Sequence, residues 1–73
     1  MIPFKWKDKN GKTWTQYFEA KHIKRVRPLE DNETQRIHPD NVAQYQLYSG
    51  EIFESCETVK TLVNRINNYK NEA

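Results

Sequence analysis

The residues of this chain that could carry covalent chemistry are few: Ser49, Ser55, Cys56, His22 and His38. Hydrolysis needs a nucleophile, a base and an orienting group, and no spacing ties these five together. Ser55 reads as a helix cap and Ser49 as a turn residue. For a metal, His22, His38, Cys56 and Asp40 could converge in space, but none is paired at the short spacing of zinc or calcium sites. Glu51 and Glu54 stand an odd number of residues apart, so in a strand they fall on opposite faces and cannot share a substrate. Gly11 and Gly50 are the only glycines, which leaves no phosphate-binding loop. The expectation is a non-catalytic protein with no metal and no cofactor. A single cysteine, Cys56, excludes an internal disulfide and fits a reducing compartment. A helix dipole could favour its thiolate, but it has no basic neighbour in sequence and reads as a small residue at a sheet–helix junction.

What remains is binding chemistry. The net charge of +2 conceals a division: residues 1–28 hold eight Lys and Arg against Asp8 and Glu19, and residues 29–73 hold four against eight acidic residues. The first part is therefore +6 and the second −4. Lys5, Lys7, Lys12, Tyr17, Lys24, Arg25 and Arg27 form the candidate binding face, because phosphates need clustered cations and a tyrosine can stack a base. The acidic second part would repel a polyanion, and a basic hairpin is also an ordinary solvated surface. The reading placed first is a protein-interaction module or small regulator, of the accessory or phage-inhibitor kind, that binds a larger protein. Nucleic-acid binding by the basic face is the alternative. Tyr48, Phe53, Glu30, Asp31 and Glu33 are secondary contact candidates.

These residues must be positioned by a small framework. Ile2, Phe4 and Trp6 alternate with Lys5 and Lys7, and Trp14, Gln16 and Phe18 alternate with Thr13, Thr15 and Tyr17, the period-two pattern of strands with one buried face. A two-residue Asn10-Gly11 loop would split the aromatic residues between faces. A three-residue Lys9-Asn10-Gly11 loop with a left-handed glycine sets Asp8 opposite Lys12, Trp6 opposite Trp14 and Ile2 opposite Phe18. That register predicts an apolar face of Ile2, Phe4, Trp6, Trp14 and Phe18. Ile23 and Val26 suggest a helical turn or bulge before a third strand ending at Pro28. The polar segment 29–41 reads as a mobile loop.

Tyr45 to Tyr48 and Glu51 to Glu54 flank a second glycine turn, Ser49-Gly50. Read as a two-residue Ser49-Gly50 loop, it sets Leu47 opposite Ile52 on the core face with Tyr45, and turns Phe53 outward beside Gln44 and Gln46 for contact. Ser55 then caps a helix starting near Cys56, whose Val59, Leu62, Val63, Ile66 and Tyr69 gather on one stripe. The sequence therefore predicts an α+β fold, a small antiparallel sheet of four or five strands with one C-terminal helix packed on it. The strands fall at about 2–8, 12–18, 23–28, 43–48 and 51–54, and the helix at about 56–68. Seventy-three residues, 36% hydrophobic and 30% charged, suffice for one domain with a thin core, as a monomer or homodimer. No run is long enough to span a membrane and no signal peptide follows Met1, so a cytoplasmic location is expected.

In this layout Met1-Ile2, Asn10-Gly11-Lys12, Phe18-Glu19-Ala20-Lys21-His22-Ile23 with Val26, Leu47-Tyr48-Ser49-Gly50 and Glu54-Ser55-Cys56-Glu57-Thr58-Val59 resemble the FlbD-type family of small bacterial flagellar-associated proteins. The chain differs in carrying additional residues around Glu30 to Asn41 and two tryptophans in the first hairpin. The resemblance implies an architecture, a small antiparallel sheet closed by a C-terminal helix, and no catalytic residues.

Overall fold

Aromatic side chains set the arrangement. A computed structural model describes residues 1–30 and 35–71. In order these form β1 (Ile2–Lys7), β2 (Thr13–Phe18), a 3-10 turn (Ala20–His22), β3 (Ile23–Pro28), β4 (Ala43–Leu47), β5 (Ile52–Ser55) and α1 (Val59–Asn71). The class is α+β, with the five strands divided between two antiparallel sheets, β1-β2 and β3-β4-β5. Their inner faces meet through Phe4 stacked on Tyr45 at 4.2 Å between ring centroids and Phe18 against Phe53 at 5.3 Å. Helix α1 presses Leu62 and Ile66 into the same cluster, with Ile2, Ile23 and Leu47. Val63 and Tyr69, from the predicted stripe, lie at its exposed margin.

The first hairpin has Trp6 opposite Trp14 and Ile2 opposite Phe18, the register of the three-residue loop. Gly11 takes φ 80°, a conformation that costs other residues a Cβ clash, and Asp8 organises the turn. Its Oδ1 accepts the Asn10 and Lys12 amides at 2.9 and 3.0 Å, and its Oδ2 accepts the Trp14 indole N–H at 2.8 Å. These bonds, the one from Trp14 foremost, hold the Asp8 carboxyl below its usual range. Trp14, assigned from sequence to the apolar face, is 45% exposed because it folds back over this turn, under the Lys12 ammonium at 4.3 Å.

The second hairpin uses the same device, and this corrects the sequence reading. Gly50 has φ 99°, Leu47 N–H bonds the Glu51 carbonyl at 2.9 Å, and Tyr45 pairs with Phe53 and Gln46 with Ile52. The loop is therefore Tyr48-Ser49-Gly50, one residue longer than the two-residue reading. The one-residue change turns Phe53 inward onto Tyr45 and Phe18 and leaves Ile52 55% exposed.

The helix cap is corrected as well. Helix α1 begins at Val59, and Thr58 accepts the Thr61 amide at 3.3 Å. Ser55 is wholly buried in β5, donating to the Lys5 carbonyl at 2.8 Å and accepting the Glu57 amide at 3.1 Å. It joins the sheets instead of starting a helix.

The described parts of segment 29–41 make hydrogen bonds at both ends. Leu29 N–H bonds the Val42 carbonyl at 2.9 Å, and Arg36 donates to the carbonyls of Glu30 and Asn41. Residues 31–34 lie outside the described part of the chain.

Candidate interaction surfaces

The sequence gathered seven residues on one face. The fold separates them. Lys5, Lys7 and Tyr17 project from the outer side of β1-β2, with Lys12 at its turn. Arg25 and Arg27 stand opposite Gln46 and Gln44 on the outer side of β3-β4-β5. Because the sheets meet by their inner faces, these two groups lie on opposite sides of the core. Lys24 occupies the bulge in β3. Lys7 is paired with Asp40 at 3.2 Å, and the Arg27 Nε donates to Gln44 at 2.7 Å. A single basic face is thus replaced by dispersed cations.

Among the secondary candidates, Tyr48 is 69% exposed at the tip of the second hairpin, and Glu30 is exposed. Phe53 is half-buried, packed against the core through Tyr45 and Phe18. Asp31 and Glu33 lie outside the described residues.

The structure places other residues together that sequence reasoning did not join. Where β5 diverges from β1, a cleft of about 260 Å³ opens between the sheets, lined by Trp6, Gln16, Ile37, Ile52, Phe53 and Glu54. Ile37 and Ile52 form its exposed apolar rim, and the Trp6 indole N–H is buried at its wall without a hydrogen-bond partner. Glu54 accepts the Ile37 amide at 2.8 Å and the Asn41 amide group at 3.0 Å. No Lys or Arg among the described residues forms an ion pair with it.

Asn41 links Glu54 of the cleft to β1. Its side chain is fully buried, accepting the Lys7 N–H at 2.9 Å and donating to the Lys7 carbonyl at 3.0 Å. It occupies the place a partner strand would take beside β1, so β5 bonds β1 through Ser55 and Cys56 and splays away beyond them. Nothing local in sequence distinguishes this asparagine from a turn former. The exposure of Ile52, by contrast, was readable from the matching positions of Gly11 and Gly50 in their two loops.

Of the reactive residue types, Ser55 and Cys56 meet at the Lys5 carbonyl, and neither hydrogen-bonds to a histidine. Ser49 sits in an exposed turn, Ser55 is consumed by Lys5 and Glu57, and the Cys56 Sγ lies 3.5 Å from the Lys5 carbonyl. The His38 Nδ1 accepts the Asp40 amide at 3.0 Å. Among the described residues no three His, Cys, Asp or Glu gather as metal ligands, and no described helix is long and apolar enough to cross a membrane. A second, more open groove of about 440 Å³ lies between Met1, the 3-10 turn and Tyr69, with the Lys21–Glu19 ion pair at its side. Comparison with known protein families, curated proteins and solved structures finds no match.

Proposed function

We propose that this chain is a non-catalytic protein-interaction module that binds a larger protein through the cleft between its sheets. The observation that carries this reading is the pairing of an apolar rim, Ile37 at 41% and Ile52 at 55% exposed, with a carboxylate, Glu54, that no described cation neutralises. Such a surface suits a partner segment that lays an apolar side chain between the isoleucines and sets a Lys or Arg against Glu54. The dispersal of Lys5, Lys7, Arg25 and Arg27 over two opposite surfaces favours this over a polyanion, which needs its cations along one track.

Affinity capture from the native host, read by mass spectrometry, tests the proposal. A specific protein should be recovered by the wild-type chain and lost with Ile52→Glu, while Lys5→Glu leaves it bound. Recovery of nucleic acid in place of a protein, with a salt-sensitive gel shift abolished by Lys5→Glu, would reverse the assignment.

A further inference from the structure

The two sheets end in free edges of opposite character. Among the described residues β3 has β4 as its only strand neighbour, and its edge carries Lys24, Arg25 and Arg27, a bulge after Ile23 and a terminal Pro28. Charge, bulge and proline are the devices by which proteins prevent a strand edge from pairing. Among the described residues β2 has β1 as its only strand neighbour, and it carries none of these devices. Its residues, Thr13-Trp14-Thr15-Gln16-Tyr17-Phe18, are uncharged, free of proline and glycine, and mostly β-branched or aromatic. Its outer-face residues Thr13, Thr15 and Tyr17 are all exposed.

The backbone phase is known from the other side of the hairpin. The N–H and C=O groups of Lys7 and the carbonyl of Lys5 point away from β2, to Asn41, Ser55 and Cys56. Their partners Thr13 and Thr15 therefore point their own backbone groups away from β1, and Tyr17 follows by alternation. We infer that this edge pairs with β2 of a second copy, antiparallel about a two-fold axis at Thr15. That register sets Thr15 opposite Thr15 of the second copy and Thr13 opposite Tyr17, both favourable cross-strand pairs. It juxtaposes no like charges: Lys5 and its copy end three strand spacings apart, about 14 Å, beyond the ~8 Å Debye length at physiological salt. The same operation on β3 would bring the Arg25 and Arg27 side chains of two copies together. Of these two edges, β2 alone is compatible with itself.

One edge is smaller than the roughly 1,200 Å² of a standard interface, so the dimer is concentration-dependent. Sedimentation equilibrium on the full chain should show monomer passing to dimer below about 1 mM. Thr15→Lys sets two charges face to face across the axis and should weaken the dimer about tenfold or more. Thr15 is exposed, so the variant should keep its far-UV spectrum, and Ile52→Glu in the cleft should leave the dimer unchanged. Amide exchange supplies a readout without mutation: Thr13, Thr15 and Tyr17 should gain protection as concentration rises. A wild-type chain monomeric to about 1 mM, or a dimer indifferent to Thr15→Lys with those three amides unprotected, overturns the inference.

Discussion

Replacing Asn41 by alanine tests the joint between the two sheets. The substitution removes three hydrogen bonds: the Lys7 N–H at 2.9 Å, the Lys7 carbonyl at 3.0 Å and Glu54 at 3.0 Å. At about 1 kcal/mol for each bond, the loss is about 3 kcal/mol. A chain of 73 residues has a total stability of roughly 4 to 11 kcal/mol, so between about a quarter and three quarters of its margin is at stake. With a urea m-value of about 1 kcal/mol/M, the unfolding midpoint should fall by about 3 M. Asn41→Asp sharpens the test. It keeps an acceptor for the Lys7 N–H but cannot donate, and it sets a second carboxylate beside Glu54, so at neutral pH it should be no more stable than the alanine variant. A midpoint shift below about 0.5 M for Asn41→Ala at unchanged m would show that solvent replaces the side chain without cost, and that Asn41 is not what holds β1.

The register of the second hairpin is checked by a pair of truncations. Phe53→Ala should cost about 3 kcal/mol and Ile52→Ala less than about 0.5 kcal/mol, and the reverse order in urea unfolding would restore the two-residue loop. Gly50→Ala should destabilise by about 1 kcal/mol through its positive φ alone, since a Cβ there meets no atom within 4 Å; an unchanged thermal midpoint would contradict that conformation. Arg65 donates to Glu57 at 2.7 Å and lowers the carboxyl's pKa from its ordinary value near 4.5. A lowered folded-state pKa stabilises above the unfolded value and is lost as pH falls through the folded one. The stability difference between wild type and Glu57→Gln should therefore be full near neutrality and shrink as the pH falls below 4.5. A pH-independent difference would exclude the pair as its source.

Much of this fold is legible in the chain because local pattern and burial agree. The first hairpin's register follows from keeping Ile2, Phe4, Trp6 and Phe18 together, and the helix from the spacing of Leu62 and Ile66. The second hairpin was open to misreading because Ile52 and Phe53 are both apolar, so either register buries one of them. The decisive signal was the glycine position, the same in both loops. The division into two sheets was not readable at all, for it depends on Asn41 meeting Lys7, a contact 34 residues apart in sequence. The candidate surface suffered most. The clustering of cations in residues 1–28 is a property of sequence, and the packing of Phe4 on Tyr45 sends adjacent strands' charges to opposite sides.

The carbonyl of Lys5 accepts Ser55 and Cys56, and the carbonyl of Pro3 accepts the Arg65 guanidinium, across 50 and 62 residues of chain respectively. β1 is thus completed by residues that follow it by 50 positions or more in the chain. During synthesis the first hairpin has its turn, Asp8 and the Trp14 indole to hold it, and Asn41 can bond Lys7 early, but the Lys5 and Pro3 part of the β1 edge stays open until residues 55 to 65 have left the ribosome. Loop-closure entropy then makes the docking of the C-terminal segment on β1 the late, slow event of folding. For that interval the nascent chain exposes both edges of an apolar hairpin, the state most exposed to aggregation and to capture by chaperones.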